Sequence, residues 1–206
     1  MPSFEFENQK YADGYTAVCG CDEAGRGPLC GPVVAAAVIL PRDCVIPGLD
    51  DSKKLTEKRR EALFDEICRV AVAYGIAECS PEEIDSLNIL NASMLAMQRA
   101  SDKLSVKADF ALIDGNCTRG FKIPAEAIVK GDSKSMSIAA ASILAKVTRD
   151  RGCLLLDEEY PEYGIKKHKG YPTKDHMAAV RKFGAPPIYR RSFLKFLDRN
   201  EENENS

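Results

Sequence analysis

Residues 17–40 read AVCGCDEAGRGPLCGPVVAAAVIL, two apolar runs joined by a turn that holds two adjacent acids, an arginine and three glycines. The second run, Val33 to Leu40, has the length and apolar content of a strand buried on both faces. The first run stays apolar until Asp22. Both runs are therefore predicted to be core strands, and the turn between them is where we expect the chemistry.

The turn itself carries a specific arrangement of side chains. Successive side chains of a strand point to opposite faces, so Asp22 and Glu23 share a ligand only where the strand ends and the backbone bends. Gly25 and Gly27 supply that bend and let the backbone approach a phosphate or ribose closely, while Arg26 adds a planar cation suited to phosphate. The alternative interpretation is a strand that ends in a polar turn with a surface arginine.

Strand and helix patterns alternate along the rest of the chain. Short apolar runs predict strands at 70–78, 108–114 and 127–129. Helical spacing and capping residues predict helices after Thr56, after Ser80, from Leu90 to Leu104, after 130–135, at 174–183 and near 192–197. The order β-β-α-β-α-β-β-α predicts an α/β fold with a mixed five-stranded sheet flanked by helices.

The same patterns divide the chain into three parts. Residues 1–15 lack periodicity and are predicted to be a loosely ordered lead-in. Residues 16–157 form the predicted core, and residues 158–206 a helical C-terminal portion broken by proline and glycine, with an acidic tail at 201–204. A chain of 206 residues with 45% hydrophobic content suits one main domain.

Composition sets limits on location and on the roles of the cysteines. No apolar run approaches the roughly 20 residues of a membrane span, and residues 1–10 lack the pattern of a leader, so we expect a cytoplasmic protein without membrane attachment. The eight cysteines are scattered without a Cys-x-x-Cys pair, which predicts free thiols. The alternative is a zinc site that combines Cys19 and Cys21 with Cys30, Cys117 or His168.

The net charge of −2 excludes a protein that coats nucleic acid by charge alone. Basic residues nevertheless cluster in blocks, at 53–54, 58–60, 166–169, 181–182 and 190–191. This distribution predicts a specific nucleic-acid face on a nearly neutral body. Solvated helix surfaces are an equally good explanation of any single block.

Four acidic residues are the candidates for the chemistry of the site. Asp22, Glu23 and Asp114 stand at predicted strand ends, and Asp132 stands at a predicted helix start. Carboxylates brought together without a Lys or Arg partner repel one another unless a cation neutralises them, and Mg²⁺ or Mn²⁺ would do so. Two such ions about 4 Å apart would support in-line cleavage of a phosphodiester. Alternatively, Asp132 is a helix cap and Asp114 forms an Asx turn.

The segment DEAGRGPLCGPV at 22–33 resembles the opening signature of the ribonuclease HII family, nucleases that cut at ribonucleotides inside duplex DNA. The segment GYPTKDH at 170–176 resembles the family's second signature, and DSKKL at 51–55 and IYRRSF at 188–193 resemble further family segments. The resemblance covers about residues 17–195. It departs from the family at Cys21 and Cys30, where small or aliphatic residues are usual, and at Tyr189, where histidine is expected.

This resemblance implies a ribonuclease H-like fold and assigns roles to individual residues. Asp22, Glu23, Asp114 and Asp132 would be the catalytic residues and the ligands of two Mn²⁺ or Mg²⁺ ions. Tyr171 would pack against the sugar at the junction between RNA and DNA. Gly25, Arg26 and Gly27 would contact the ribose 2′-hydroxyl and the adjacent phosphate, and Lys53 would also bind substrate.

The implied activity is that of an endonuclease on RNA/DNA hybrid and on ribonucleotide-containing duplex DNA. It would leave a 3′-hydroxyl and a 5′-phosphate, and would nick on the 5′ side of a single ribonucleotide. We expect a monomer; the sequence names no protein partner. The alternative is a non-catalytic hybrid-binding module, which four intact acids disfavour. A P-loop phosphotransferase is excluded because no Gly-x-x-x-x-Gly-Lys-Ser/Thr segment exists.

Overall fold

The computed structural model describes residues 1–197; the predicted acidic tail at 201–204 lies outside these residues. The strands are β1 (Val18–Ala24), β2 (Val33–Ile39), β3 (Ala73–Cys79), β4 (Phe110–Asp114) and β5 (Ala125–Ile128). The helices are α1 (Glu5–Ala12), α2 (Glu57–Val70), α3 (Pro81–Leu87), α4 (Ile89–Asp102), α5 (Met136–Glu159), α6 (Ile165–His168) and α7 (Lys174–Phe183).

The five strands form one sheet in the order β3-β2-β1-β4-β5. β1 and β2 pair antiparallel, as do β2 and β3, whereas β1, β4 and β5 run parallel. The predicted mixed five-stranded sheet flanked by helices is confirmed. β3 begins later than the strand predicted at 70–78 because α2 continues to Val70, and β5 begins and ends slightly earlier than predicted.

Helices cover both faces of the sheet, which explains why every residue of β2 is buried. One apolar cluster joins β2 to α4, and a second joins the opposite face of β2 to α2 and α5. Gly20 in β1 permits a close approach of sheet and helix, because a Cβ there would overlap the backbone of α5 at Ser137 and Ile138. The sheet and α5 therefore meet backbone to backbone at Gly20, within β1.

A third cluster attaches the C-terminal portion to the turn between β1 and β2. It includes Leu29 and Cys30 from the turn, Tyr163 and Ile165 near α6, and Tyr189. The helix predicted near 192–197 is wrong: the chain forms only a 3₁₀ turn at Arg191–Phe193. The Asp85 carboxylate accepts hydrogen bonds from the backbone amides of Arg191 and Ser192, which holds this segment as a turn against α3.

The prediction of a loosely ordered lead-in at 1–15 is also wrong, because α1 packs on the start of α5. Glu7 is buried, and its carboxylate accepts hydrogen bonds from Ser135 Oγ at 2.6 Å and from the backbone amide of Ser137 at 2.9 Å. Lys10 forms an ion pair with Glu126 at 2.6 Å. Polar contacts attach this helix together with packing by Phe6 and Tyr11, and it lacks the regular apolar stripe by which a sequence pattern reveals a helix.

The cysteines do not assemble the alternative zinc site. Cys19 and Cys21 lie in the apolar cluster under α4, against which Cys117 also packs, but among residues 1–197 no three cysteine or histidine side chains lie close enough together to hold an ion. All eight cysteines are free thiols. Within residues 1–197, we find no helix with the length and apolar character needed to cross a membrane.

The buried Glu7 contact makes a stability prediction. Glu7→Ala removes a carboxylate that bonds donors at the start of α5, so the free energy of unfolding should fall by about 1–3 kcal/mol. Glu5→Ala is the matched control, since Glu5 is exposed on the same helix. Chemical denaturation of the two variants checks this, and equal stabilities would contradict the role of Glu7.

Candidate active site

Strand pairing brings the acids together at one edge of the sheet. Asp22 lies near the end of β1 and Asp114 ends β4, and the parallel register of Cys21 with Ile113 sets these two acids side by side. Asp114 pairs in turn with Ile128 of β5, which leads into the 3₁₀ turn that carries Asp132. Carboxylate oxygens of Asp22, Asp114 and Asp132 lie within 4.8 Å of one another.

Hydrogen bonds hold the three carboxylates in place while leaving part of each one available. Asp114 Oδ1 accepts from the amide of Gly131 at 2.7 Å, and Asp22 Oδ1 accepts from the amide of Glu23 at 2.7 Å. Asp132 Oδ2 accepts from Lys53 Nζ at 3.2 Å. Among residues 1–197, the other oxygen of each carboxylate has no hydrogen-bond partner.

Electrostatics at this edge favour a bound cation. Burial, followed by repulsion from Glu23 and Asp114, raises the pKa of Asp22 well above its ordinary value. Burial and the charge of Asp132 raise the pKa of Asp114. A divalent cation would relieve this repulsion, and three carboxylate oxygens with no sulfur or nitrogen donor suit a hard ion. The donor set therefore fits a divalent metal site.

Glu23 stands apart from the three aspartates. Its carboxylate is not within the 4.8 Å group, although it lines the same cleft. It forms an ion pair with Arg26 Nη1 at 3.4 Å. Burial raises the pKa of Glu23, and Arg26 opposes that shift.

The expectation that the acids lack cationic partners is wrong at two points, Arg26 with Glu23 and Lys53 with Asp132. The second partner was not evident because Lys53 lies 79 residues before Asp132 and reaches it only through the fold. Burial lowers the pKa of Lys53, but the neighbouring carboxylates, Asp132 foremost, together outweigh this and raise it overall. Lys53 is largely exposed, so this pair contributes little to stability and leaves the ammonium able to contact another anion.

An open cleft of about 300 Å³ runs beside the acids. Its lining includes the predicted substrate-binding residues Gly25, Arg26, Gly27, Lys53 and Tyr171 together with Asp22, Glu23 and Asp114. A neighbouring recess shares Lys53 and Asp114 and extends the surface to Asp132. Every residue predicted for the site therefore lies along one continuous groove.

The two sequence segments that flank this cleft are in contact. The amide of Leu29 donates to the carbonyl of Gly170 at 2.8 Å, and a Cβ on Gly27 would lie 3.2 Å from the ring of Tyr171. Gly25 adopts a φ of +97°, and a Cβ there would overlap the guanidinium of Arg149. A backbone turn without side chains at 25 and 27 thus faces an aromatic ring that is 46% exposed.

One buried arginine supports the whole turn, and sequence reasoning treated it only as part of a basic block. Arg190 is 0% exposed, and its guanidinium donates hydrogen bonds of 2.7–3.1 Å to the carbonyls of Gly25, Arg26, Pro28, Gly31 and Pro32. Burial lowers the pKa of Arg190 to about 10, so the group stays charged at neutral pH. We name residues 25–32 the glycine loop.

Other residues of the site were also missed. Ser142, Lys146 and Arg149 line the cleft from α5, and Lys146 forms an ion pair with Asp150 of the same helix at 2.6 Å. Their helical spacing along a polar face of α5 was the available signal. The burial of Arg149 and Arg190 gave no signal, because nothing in a sequence marks an arginine as buried.

A mixed five-stranded sheet with three carboxylates at its edge, next to a groove of glycine backbone, cations and an exposed tyrosine, defines a metal-dependent nuclease of the ribonuclease H-like class. A family model described as "Ribonuclease HII" matches residues 19–196. The chain is 61% identical to the ribonuclease HII of Dechloromonas aromatica, over 85% of this chain and 90% of that protein. It is 54% identical to the ribonuclease HII of Clostridioides difficile, over 92% of this chain and 74% of that protein.

The chain belongs to the ribonuclease HII family. It is an endonuclease of the kind that hydrolyses RNA in RNA/DNA hybrids. Among solved structures, ribonuclease H2 from Pyrococcus horikoshii matches with a TM-score of 0.75 and 29% identity, covering 89% of this chain and 98% of that one. The expected ribonuclease H-like fold is thereby confirmed.

Removing the central arginine should disrupt the cleft. Arg190→Ala leaves five carbonyls of the glycine loop without this donor, and the free energy of unfolding should fall by about 3 kcal/mol or more. Arg190→Lys should also be less stable than the wild type, because an ammonium lacks the planar fork of donors. Arg191→Ala is the control, since Arg191 is exposed. Denaturation midpoints test the set, and an unchanged Arg190→Ala midpoint would refute the role.

Relief of carboxylate repulsion predicts stabilisation by divalent ions. Mn²⁺ or Mg²⁺ at about 100 times its Kd should stabilise the wild type by about 2.7 kcal/mol, reversed by a chelator. Asp114→Asn keeps the acceptor for Gly131 but removes the charge, and should lose most of this stabilisation. The exposed Asp65→Asn serves as the control. An identical shift in the Asp114→Asn variant would exclude Asp114 as a ligand.

Proposed function

We propose that this chain cleaves the RNA strand of RNA/DNA hybrids and also nicks duplex DNA on the 5′ side of a single embedded ribonucleotide, leaving a 3′-hydroxyl and a 5′-phosphate. The observation that carries the proposal is the approach of Asp22, Asp114 and Asp132 to within 4.8 Å in a groove also lined by a bare glycine turn. The carboxylates suit hydrolysis, and the turn suits ribose recognition.

The proposed metal ligands are Asp22, Asp114 and Asp132, with Glu23 at the edge of the site. Mn²⁺ or Mg²⁺, in a two-ion arrangement, would activate the attacking water and stabilise the leaving oxygen when bound there. The protein's own part is to hold the acids in place: the amide of Gly131 orients Asp114, and the amide of Glu23 orients Asp22. Rigid placement of charged groups is what stabilises charge that develops during reaction.

Ribose selection is assigned to the turn at 25–27. Only the 2′-hydroxyl separates RNA from DNA at one position, so a selective enzyme must contact it closely. Without side chains at Gly25 and Gly27, backbone groups can approach the sugar, and Arg26 is available for the adjacent phosphate. A site built to bond a hydroxyl rejects the analogue lacking it by about 10⁴-fold or more, because its polar groups stay unpaired.

Tyr171 is assigned to the next sugar. A Cβ on Gly27 would lie 3.2 Å from its ring, and the residue is 46% exposed although its backbone carbonyl is held by the buried His176 at 2.9 Å. Packing of this ring against a deoxyribose would test the RNA-to-DNA junction. A continuous hybrid offers many cleavage registers, so it should depend less on this contact.

The non-catalytic binding module fits the site less well. A surface that only binds phosphate favours Lys and Arg, whereas three aspartates at the groove repel a phosphate backbone unless metal ions are bound. Four basic residues of the cleft, Arg26, Lys53, Lys146 and Arg149, supply attraction around the acids. Cations around a metal-binding acidic centre match a nuclease.

Three duplexes test the proposal under single-turnover conditions: one with a single ribonucleotide, one continuous hybrid and one all-deoxy. The first two should be cut in Mg²⁺ or Mn²⁺, and the third should stay intact. Tyr171→Ala should slow cleavage of the single-ribonucleotide duplex more than that of the hybrid, while Tyr171→Phe, which keeps the ring, should behave like the wild type.

Two results would count against these assignments. Cutting of the all-deoxy duplex would remove ribose selection by the turn at 25–27. Equal slowing of both ribose-containing duplexes by Tyr171→Ala would remove Tyr171 as a junction sensor. The product ends are identified by ligation and by end labelling, because a 3′-hydroxyl next to a 5′-phosphate can be ligated, whereas a 3′-phosphate next to a 5′-hydroxyl cannot.

A further inference from the structure

Tyr189 is buried, and its hydroxyl reaches the cleft indirectly. The Tyr189 hydroxyl lies 2.7 Å from His176 Nε2, and His176 Nδ1 lies 2.9 Å from the backbone carbonyl oxygen of Tyr171. Both Tyr189 and His176 are at most 1% exposed. A continuous chain of hydrogen bonds therefore links the interior of the C-terminal cluster to the residue assigned to the junction sugar.

The chemistry of the atoms sets the direction of each bond. A carbonyl oxygen only accepts, so Nδ1 of His176 carries the proton and donates to Tyr171. Nε2 of the neutral ring then has a free lone pair and accepts from the Tyr189 hydroxyl. Burial lowers the pKa of His176 to about 4, which keeps the ring neutral at physiological pH.

The neighbouring histidine has the opposite arrangement. His168 stacks on His176 with ring centroids 4.1 Å apart. Its Nε2 lies 2.9 Å from the carbonyl of Tyr163 and must donate there, while its Nδ1 accepts from the amide of Gly170 at 3.2 Å. The two rings thus have opposite tautomers, and both contact the segment that leads into Tyr171.

The residues beside Tyr189 hold the opposite side of the cleft. The amide of Gly31 donates to the carbonyl of Ile188, and the amide of Arg190 donates to the carbonyl of Leu29, each at 2.9 Å. The Arg190 side chain binds the glycine loop as described above. Residues 188–190 therefore contact both walls, the glycine loop directly and Tyr171 through His176.

We infer that Tyr189 and His176 are positioning residues for Tyr171. Residues 188–190 thereby set the gap between the turn at 25–27 and the Tyr171 ring. The width of this gap determines selectivity for a single ribonucleotide. The inference rests on the proposed function, because it assigns the gap to the junction sugar. It gives a purpose to a buried tyrosine at a position where the family resemblance leads one to expect histidine.

A purely structural role for Tyr189 makes different predictions. If the Tyr189 hydroxyl served only the packing of the interior, its loss would lower the stability of the protein and slow the cleavage of all substrates alike. A positioning role acts through one ring, so it changes the ratio of rates on the two ribose-containing duplexes. Small displacements of positioning groups produce large rate losses, up to about 10²-fold for 1 Å.

The first test is a double-mutant cycle on the full chain under single-turnover conditions with Mn²⁺. Tyr189→Phe should slow the single-ribonucleotide duplex by about 10-fold and the continuous hybrid by less than about 2-fold, within the range for a misplaced group. In a Tyr171→Ala background, Tyr189→Phe should cause no further selective loss, because the positioned ring is gone.

Tyr163→Phe is the matched control. Tyr163 is also buried in the C-terminal cluster, but its hydroxyl donates to the carbonyl of Gly184 at 2.9 Å and is not part of the chain to Tyr171. Its loss should lower stability without changing the ratio of rates. Equal slowing of both duplexes by Tyr189→Phe, or the same selective loss in the Tyr171→Ala background, would overturn the inference.

A spectroscopic test does not depend on cleavage. The chain has only two histidines, so ¹⁵N-histidine labelling gives two rings to assign. His176 should be the Nδ1–H tautomer and His168 the Nε2–H tautomer, and Tyr189→Phe should shift the Nε2 resonance of His176 alone. Finding His176 as the Nε2–H tautomer would refute the hydrogen-bond chain even if a variant were too unstable for kinetics.

Failure of the two proposals is distinguishable. A wild type that cuts neither ribose-containing duplex would defeat the proposed function, and with it the link from the gap to selectivity. A wild type that cuts both, with an unchanged rate ratio in Tyr189→Phe, would defeat the positioning role alone.

Discussion

The guanidinium of Arg190, bonded to five carbonyls of the glycine loop, is the interaction on which the cleft depends. A buried charge costs several kcal/mol unless its donors are satisfied. Here carbonyl dipoles replace water, and because the five acceptors all belong to residues 25–32, satisfying the charge also determines the path of the loop. Held on this path, the loop places the turn at 25–27 opposite the ring of Tyr171.

Three negatively charged side chains lie beside the glycine loop, at the ends of β1 and β4 and in the turn after β5. Asp22, Asp114 and Asp132 are held close together by strand pairing and by the Gly131 amide, although burial and mutual repulsion penalise their ionised forms. Stability is lost here in exchange for an ion site, as is common where a fold carries function. The sheet tolerates this because its two helical layers are anchored elsewhere, at Gly20 and along β2.

Sequence patterns predicted the elements whose signal is apolar. β1, β2, β4 and the cap of α2 at Thr56 follow from apolar runs and capping chemistry, and the structure has each of them. Patterns failed where polar contacts decide the structure. α1 is attached through Glu7 and Lys10, and Asp85 turns the chain at Arg191, so neither segment follows an apolar rule.

The sequence by itself determined the identity of the chemistry: acids at strand ends, a glycine turn after β1, and a resemblance that covers most of the chain. These are local or family-wide properties that residue order encodes directly. Tertiary structure alone decided which three acids converge, that Lys53 pairs with Asp132, that Arg190 is buried, and that Tyr189 reaches Tyr171 through His176. The acids, Lys53 with Asp132, and Arg190 with the glycine loop join segments distant in the chain, while Tyr189 reaches Tyr171 only because residues 171–189 fold back on themselves. Burial of a charged side chain likewise depends on where its partners lie in space, which residue order does not show.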